Sequence, residues 1–206
     1  MIIRLVAILV LLVFSYTESK KFIQKKAVEL KRENIREELS LKTGDIIVKK
    51  EDNPQSAYLS QIDESKFSDI GVVLKIDSKY YVANYDLKEN GEFLEIIPLK
   101  KYVYFATNLS VYRYEEKIDD SKLFTYLEDI KNSKIKYDYF WNLDSKDLYN
   151  TKFINSIFKN LYDENLYKYI YDFHGLNIIS IKSILENENL KKQFELDFTD
   201  VERLIF

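Results

Sequence analysis

At 206 residues the chain is long enough for one domain with an added arm, and 46% hydrophobic with 32% charged residues is the profile of a globular protein with a real core. A net charge of −3 lacks the basic footprint that nucleic acid needs, so no nucleic-acid partner is expected. No cysteine is present, which excludes disulfides, thiol catalysis and cysteine metal sites; the single histidine, His174, would leave a zinc site to carboxylates, and no metal is expected.

Residues 1–19, MIIRLVAILVLLVFSYTES, carry one early positive charge, Arg4, before an unbroken apolar run from Leu5 to Phe14. That run is shorter than the ~20 apolar residues of a bilayer span and suits the core of a secretory signal. Thr17 and Ser19 offer small residues for cleavage before Lys20. The expectation is a signal peptide or, alternatively, an uncleaved N-terminal anchor. Either implies an exported protein of the periplasm or cell envelope, with membrane association through the N-terminus. Residues 20–40 mix Phe22, Leu30, Ile35 and Leu39 with alternating Lys, Arg and Glu, the pattern of a charged amphipathic helical arm.

Residues 41–206 are expected to form one α+β domain, a small antiparallel sheet packed against helices. Asp45–Val48 is a β-type run opened by Thr43-Gly44. Residues 70–76 and 80–85 read as a hairpin turned at Asp77-Ser78. Asn90-Gly91 is a tight-turn signal before a strand that stops at Pro98, and 108–114 alternates as another strand. Helices are expected over 121–132, 150–162 and 181–194, with 195–206 a weakly defined tail. Phosphate loops, dinucleotide fingerprints and calcium loops are missing, so no cofactor is expected.

The stretch SKDLYNTKFINSIF, residues 145–158, organises the rest. Phe153, Ile154, Ile157, Phe158 and Leu161 recur in steps of three and four, which places them on one helix face. Asn150 or Thr151 could cap that helix. A helix start gathers partial positive charge and is where many enzymes hold an anionic nucleophile. Just upstream, Tyr137, Tyr139, Phe140 and Trp141 form an aromatic cluster suited to a core or cleft wall. Asp138 and the run Asp144–Asp147 read as capping and turn residues, and His174 as a loop or partly buried histidine.

Four stretches in this order, LKTGDIIV (41–48), FSDIGVVLKIDSKYYVANY (67–85), IKYDYFWNLDSKDLYNTKFINSIF (135–158) and ISIKSILENENLKKQFE (179–195), together resemble the YiiX/YebB-like branch of the NlpC-type cysteine hydrolases. The resemblance implies a circularly permuted papain-like fold and cleavage or transfer of amide and ester bonds in peptides or lipids. It also implies a triad, and here the nucleophilic cysteine falls on Asn150, the histidine on Asp69 and the orienting polar residue on Asn84. The glutamate that commonly follows the cysteine is replaced by Lys152. An amide cannot serve as a thiolate, and a lone carboxylate is thin equipment for hydrolysis. The expectation is therefore a disarmed site in which Asp69 and Asn150 hydrogen-bond each other. Its cleft, with Tyr149, Tyr137, Trp141 and Lys152 as candidate lining, would bind a lipid or a cell-envelope peptide. Two other readings stay open: a hydrolase using Asp69 and water, and a structural envelope protein acting through its N-terminal arm.

Overall fold

The β-branched run Ile46-Ile47-Val48 is stiff at χ1 and packs well on a pleated surface. In the computed structural model it opens β1 (Ile46–Glu51), near the middle of a six-stranded antiparallel sheet. The structure describes Glu18 and residues 40–86, 93–133 and 135–198. The chain divides into two compact units. One is Ser40–Asp197; the other comprises residues 1–39 and 198–206, of which only Glu18, helical and exposed, and Phe198 are described. Apart from Glu18, the predicted leader and charged arm lie outside the described residues, as do the turn at Asn90-Gly91 and the end of the tail.

β2 (Asp69–Ile76) and β3 (Lys79–Tyr85) form the expected hairpin. Asp77 and Ser78 both hold positive φ, 47° and 62°, as a two-residue turn matched to strand twist requires. β4 (Leu94–Pro98), β5 (Ala106–Tyr114) and β8 (Leu190–Asp197) complete the sheet in the order β4-β3-β2-β1-β5-β8. A small separate hairpin joins β6 (Tyr171–Phe173) to β7 (Leu176–Ile178).

Among the described residues of 40–198, five helices flank these strands. α1 (Pro54–Ile62) starts at Asn53, whose side chain accepts from the Ser56 amide, with Pro54 in the first turn where no amide partner is lost. α2 (Leu99–Tyr102) is a single turn. α3 (Asp120–Asn132) is capped by Asp119, and α5 (Ile181–Leu185) by Ser180. α4 (Asn150–Tyr162) lies against β2 and β3. Its Phe153, Ile154, Ile157 and Phe158 join Ile46, Val48, Ile70, Val72, Leu74 and Tyr85 in one core. Each such side chain contributes about 1.5–3 kcal/mol by leaving water. The alternate residues of the same strands, Ile47, Val73 and Val82, are buried too, on the far face of the sheet.

One expected helix is wrong over half its length. Residues 181–185 are helical, but Leu190–Asp197 is a strand that pairs with β5 from Leu190↔Tyr114 to Asp197↔Asn108. Unpaired amides and carbonyls along β5 outweigh the helical preference of Leu-Lys-Lys-Gln, and the charged side chains suit an edge position.

Candidate functional site

The start of α4 is tied down on both sides of Asn150. The Tyr149 hydroxyl accepts from the Ile179 amide at 2.9 Å, and Thr151 Oγ1 donates to the Ile179 carbonyl at 2.6 Å. One residue of a neighbouring segment thereby fixes two residues of the helix start, and both are buried. Asn150, between them, is half-buried and faces a groove. It is the first helical residue, not the cap; Tyr149 holds the cap position without a side-chain hydrogen bond. The Asn150 amide oxygen accepts from the adjacent Thr151 amide at 2.8 Å.

The groove, of about 310 Å³, runs between α1 and the loop that precedes α4. Its lining includes Asp69 and Asn150 together with Tyr137, Tyr149 and Trp141. Two residues named from the sequence are not in it. Lys152 turns from the groove into the loop, where its Nζ donates to the carbonyls of Asn142 (3.1 Å), Asp147 (3.0 Å) and Ser145. Burial pulls its pKa down, against nearby carboxylates that push it up. Two residues past Asn150, about 200° around the helix, put Lys152 outside the cleft. Asn84 lies on the far face of the sheet, beside Gly71, and lines a neighbouring chamber that shares Asp69 with the groove. The expected Asp69–Asn150 hydrogen bond does not form: each of those oxygens accepts from the next residue's amide, Ile70 and Thr151.

The loop is a built element. Asp138 N–H donates to the Leu148 carbonyl and Leu148 N–H to the Lys136 carbonyl, which closes its base, while Lys152 fills its middle. Asp147 accepts from the Lys136 amide and Asp138 from the Phe140 amide, so the carboxylates do turn work as expected. Tyr137 stacks on Tyr85 and meets Tyr139 edge-on, while Phe140, 76% exposed, stands at the tip. His174 is exposed at the β6–β7 turn, φ 51°, and takes no part in the groove.

Electrostatically the groove is acidic around one partly buried cation. Lys49 Nζ lies 2.5 Å from Glu51, 3.5 Å from Asp69 and 4.5 Å above the Tyr102 ring. Burial pushes Asp69 up to about 6, with Lys49 pulling down and Asp86 adding to the rise. Asp63 is raised further, to about 7, chiefly by burial; the Ile181 amide opposes the rise and the Asp69 charge adds to it. The Tyr102 hydroxyl is buried close to Asp69, and burial first, then the Asp69 charge, hold its pKa well above its usual range. Ser56 and Ser68 share a hydroxyl–hydroxyl bond of 2.5 Å at the groove floor. Lys49, Glu51, Asp63 and Ser56 were not legible as site residues, because only the return of α1 over β1 and β2 brings them together.

No family model matches the sequence, and no curated protein matches it either. Among solved structures, the crystal structure of metalloprotein YiiX from Escherichia coli O157:H7 is similar, with a TM-score of 0.64 at 16% identity over 77% of this chain and 99% of that one. At that identity the likeness is one of fold, and the chain has a YiiX-like fold.

Proposed function

We propose that this protein is a catalytically disarmed YiiX-like member of the permuted papain-like, NlpC-type group, exported to the cell envelope, whose groove is kept for binding. The observation that carries the reading is Asn150. It stands at the start of α4, in the groove, where a hydrolase of this group has its thiolate, and its amide oxygen is bonded back to its own helix. An amide offers no nucleophile there, and the chain has no cysteine to substitute for it. Asp69 and Asn84, matching the other two triad positions, support the same reading. Neither can act as an imidazole.

What remains is a recess with aromatic walls, Tyr137 and Trp141, over a polar floor. That combination suits an amphipathic ligand such as a lipid or a cell-envelope peptide. The E. coli protein is called a metalloprotein. Among the described residues here no three His, Cys, Asp or Glu are arranged to hold a metal ion, so the groove does not fit one.

The double variant Asn150→Cys with Asp69→His tests the proposal. Hydrolysis of model esters by the variant, with none by the wild type, is the expected result. A second reading has its own observation: Asp63 and Asp69, raised to about 7 and about 6, are carboxyls near the range of general acid–base work. Wild-type turnover that disappears in Asp69→Ala would establish that reading and overturn the first.

A further inference from the structure

On the far side of the sheet from α4, a chamber of about 530 Å³ is bordered by β3, β4 and α2. It is contiguous with the groove through Lys49, Glu51, Asp69 and Asp86, which line both. Two buried polar groups on its wall have no hydrogen-bond partner: Asn84 Oδ1, in a residue 4% exposed, and the Tyr102 hydroxyl, in a residue 1% exposed. Buried polar groups are nearly always paired, and an orphan destabilises the fold by its lost hydration. Leucine and phenylalanine would fill the same volumes without that cost.

The chemistry of the orphans defines what is missing. Asn84 Oδ1 can only accept, and the Tyr102 oxygen can accept as well as donate. Beside them the Asp69 carboxylate also accepts; Glu51, Asp86 and Glu95 add negative charge to the lining, against Lys49, Lys100 and Lys101. Of the three lysines, Lys49 is already engaged by Glu51, Asp69 and the Tyr102 ring. A group that donates several hydrogen bonds and carries positive charge completes this set; an anion or an apolar group does not. Ile97, Pro98 and Phe105 supply an apolar side for the carbon chain of such a ligand.

We propose that this chamber binds a primary ammonium group, with Asn84 Oδ1 and the Tyr102 hydroxyl accepting its hydrogens and the Asp69 carboxylate opposing its charge. The site goes beyond the disarmed-groove reading: it shares Asp69 and Asn84 with the triad positions of that reading, but its evidence is the chamber and its orphan groups, and Asn150 takes no part.

Thermal unfolding of the full chain is followed with n-butylamine hydrochloride, n-butanol and sodium butyrate, at equal concentration and ionic strength. The amine alone raises the midpoint, and the affinity fitted from its concentration dependence falls at least about tenfold in Asn84→Leu and in Tyr102→Phe. Without amine, Asn84→Leu is at least as stable as the wild type, which a structural role for the amide would not allow. Should Asn84→Leu fail to fold, Tyr102→Phe, which keeps the ring, decides alone. No rise with the amine, an equal rise with butanol, or undiminished affinity in the variants overturns the proposal.

Discussion

Asp63 gives a prediction whose size can be worked from the structure. It caps the C-terminal end of α1, is 7% exposed, and accepts from the Ile181 amide at 3.1 Å, while its carbonyl accepts from the Lys182 amide at 3.3 Å. The residue thus joins the end of α1 to the first turn of α5. Burial raises its pKa from 3.8 to about 7. A carboxyl raised on folding keeps its proton in the native state where the unfolded chain has lost it. Its contribution to stability therefore falls as pH climbs from about 4 and levels off above about 7. At 1.36 kcal/mol per pH unit the whole fall is about 4 kcal/mol. Asp63→Asn does not ionise in either state and keeps an oxygen for the Ile181 amide. Urea unfolding at intervals from pH 4 to pH 8 should show the variant gaining about 4 kcal/mol on the wild type across that range, with most other titrations cancelling in the difference. Two parallel curves would refute the reasoning, because Asp63 would then be ionised in the fold at no cost.

Three further outcomes are expected. Arg113→Ala strands the carboxylate of Asp45, 1% exposed and held by Arg113 Nε and Nη2 at 2.7 and 2.8 Å, and should cost about 3–5 kcal/mol in chemical denaturation; Asp45→Asn with Arg113→Met should recover most of it. Gly71→Ala sets a methyl against Val82 Cγ1 and 3.0 Å from the Ala83 carbonyl, and a loss of about 1–3 kcal/mol in the same assay is expected. Lys152→Met removes the donor shared by three loop carbonyls; amide exchange should quicken through residues 142–147 while the α4 amides hold, with a global change of about 1–2 kcal/mol.

Much of the fold could be read from local pattern. Ile46-Ile47-Val48, the Asp77-Ser78 turn and the three-four spacing of Phe153 to Phe158 each announce their element without help from distant residues. Two missed elements had signals in the sequence: Asn53-Pro54 is a helix start, and His174-Gly175, both at positive φ, is a hairpin turn. The 190–197 strand had none, since its leucine and charged residues suit a helix and only the open edge of β5 makes them a strand. Asp69 and Asn150 do line one groove, and Tyr137, Tyr149 and Trp141 line it with them. Lys152 departed for a geometric reason, a rotation around a helix. Asp63 and Lys49 were invisible because the burial that makes them distinctive comes from elements remote in sequence.

The late strand β8 has a consequence for how the protein is made. During synthesis β1 to β5 emerge first, and the β5 edge then stays open while the chain adds α3, α4, the β6–β7 hairpin and α5. Over that interval a nearly finished sheet presents unsatisfied main-chain groups to any other nascent chain, the situation in which intermolecular pairing competes with folding. Leu190–Asp197 ends it by contributing its own backbone, with four charged side chains in eight residues facing outward traffic. A stop codon just ahead of Leu190 would thus leave α4 and the groove encoded in full, yet yield a polypeptide prone to self-association.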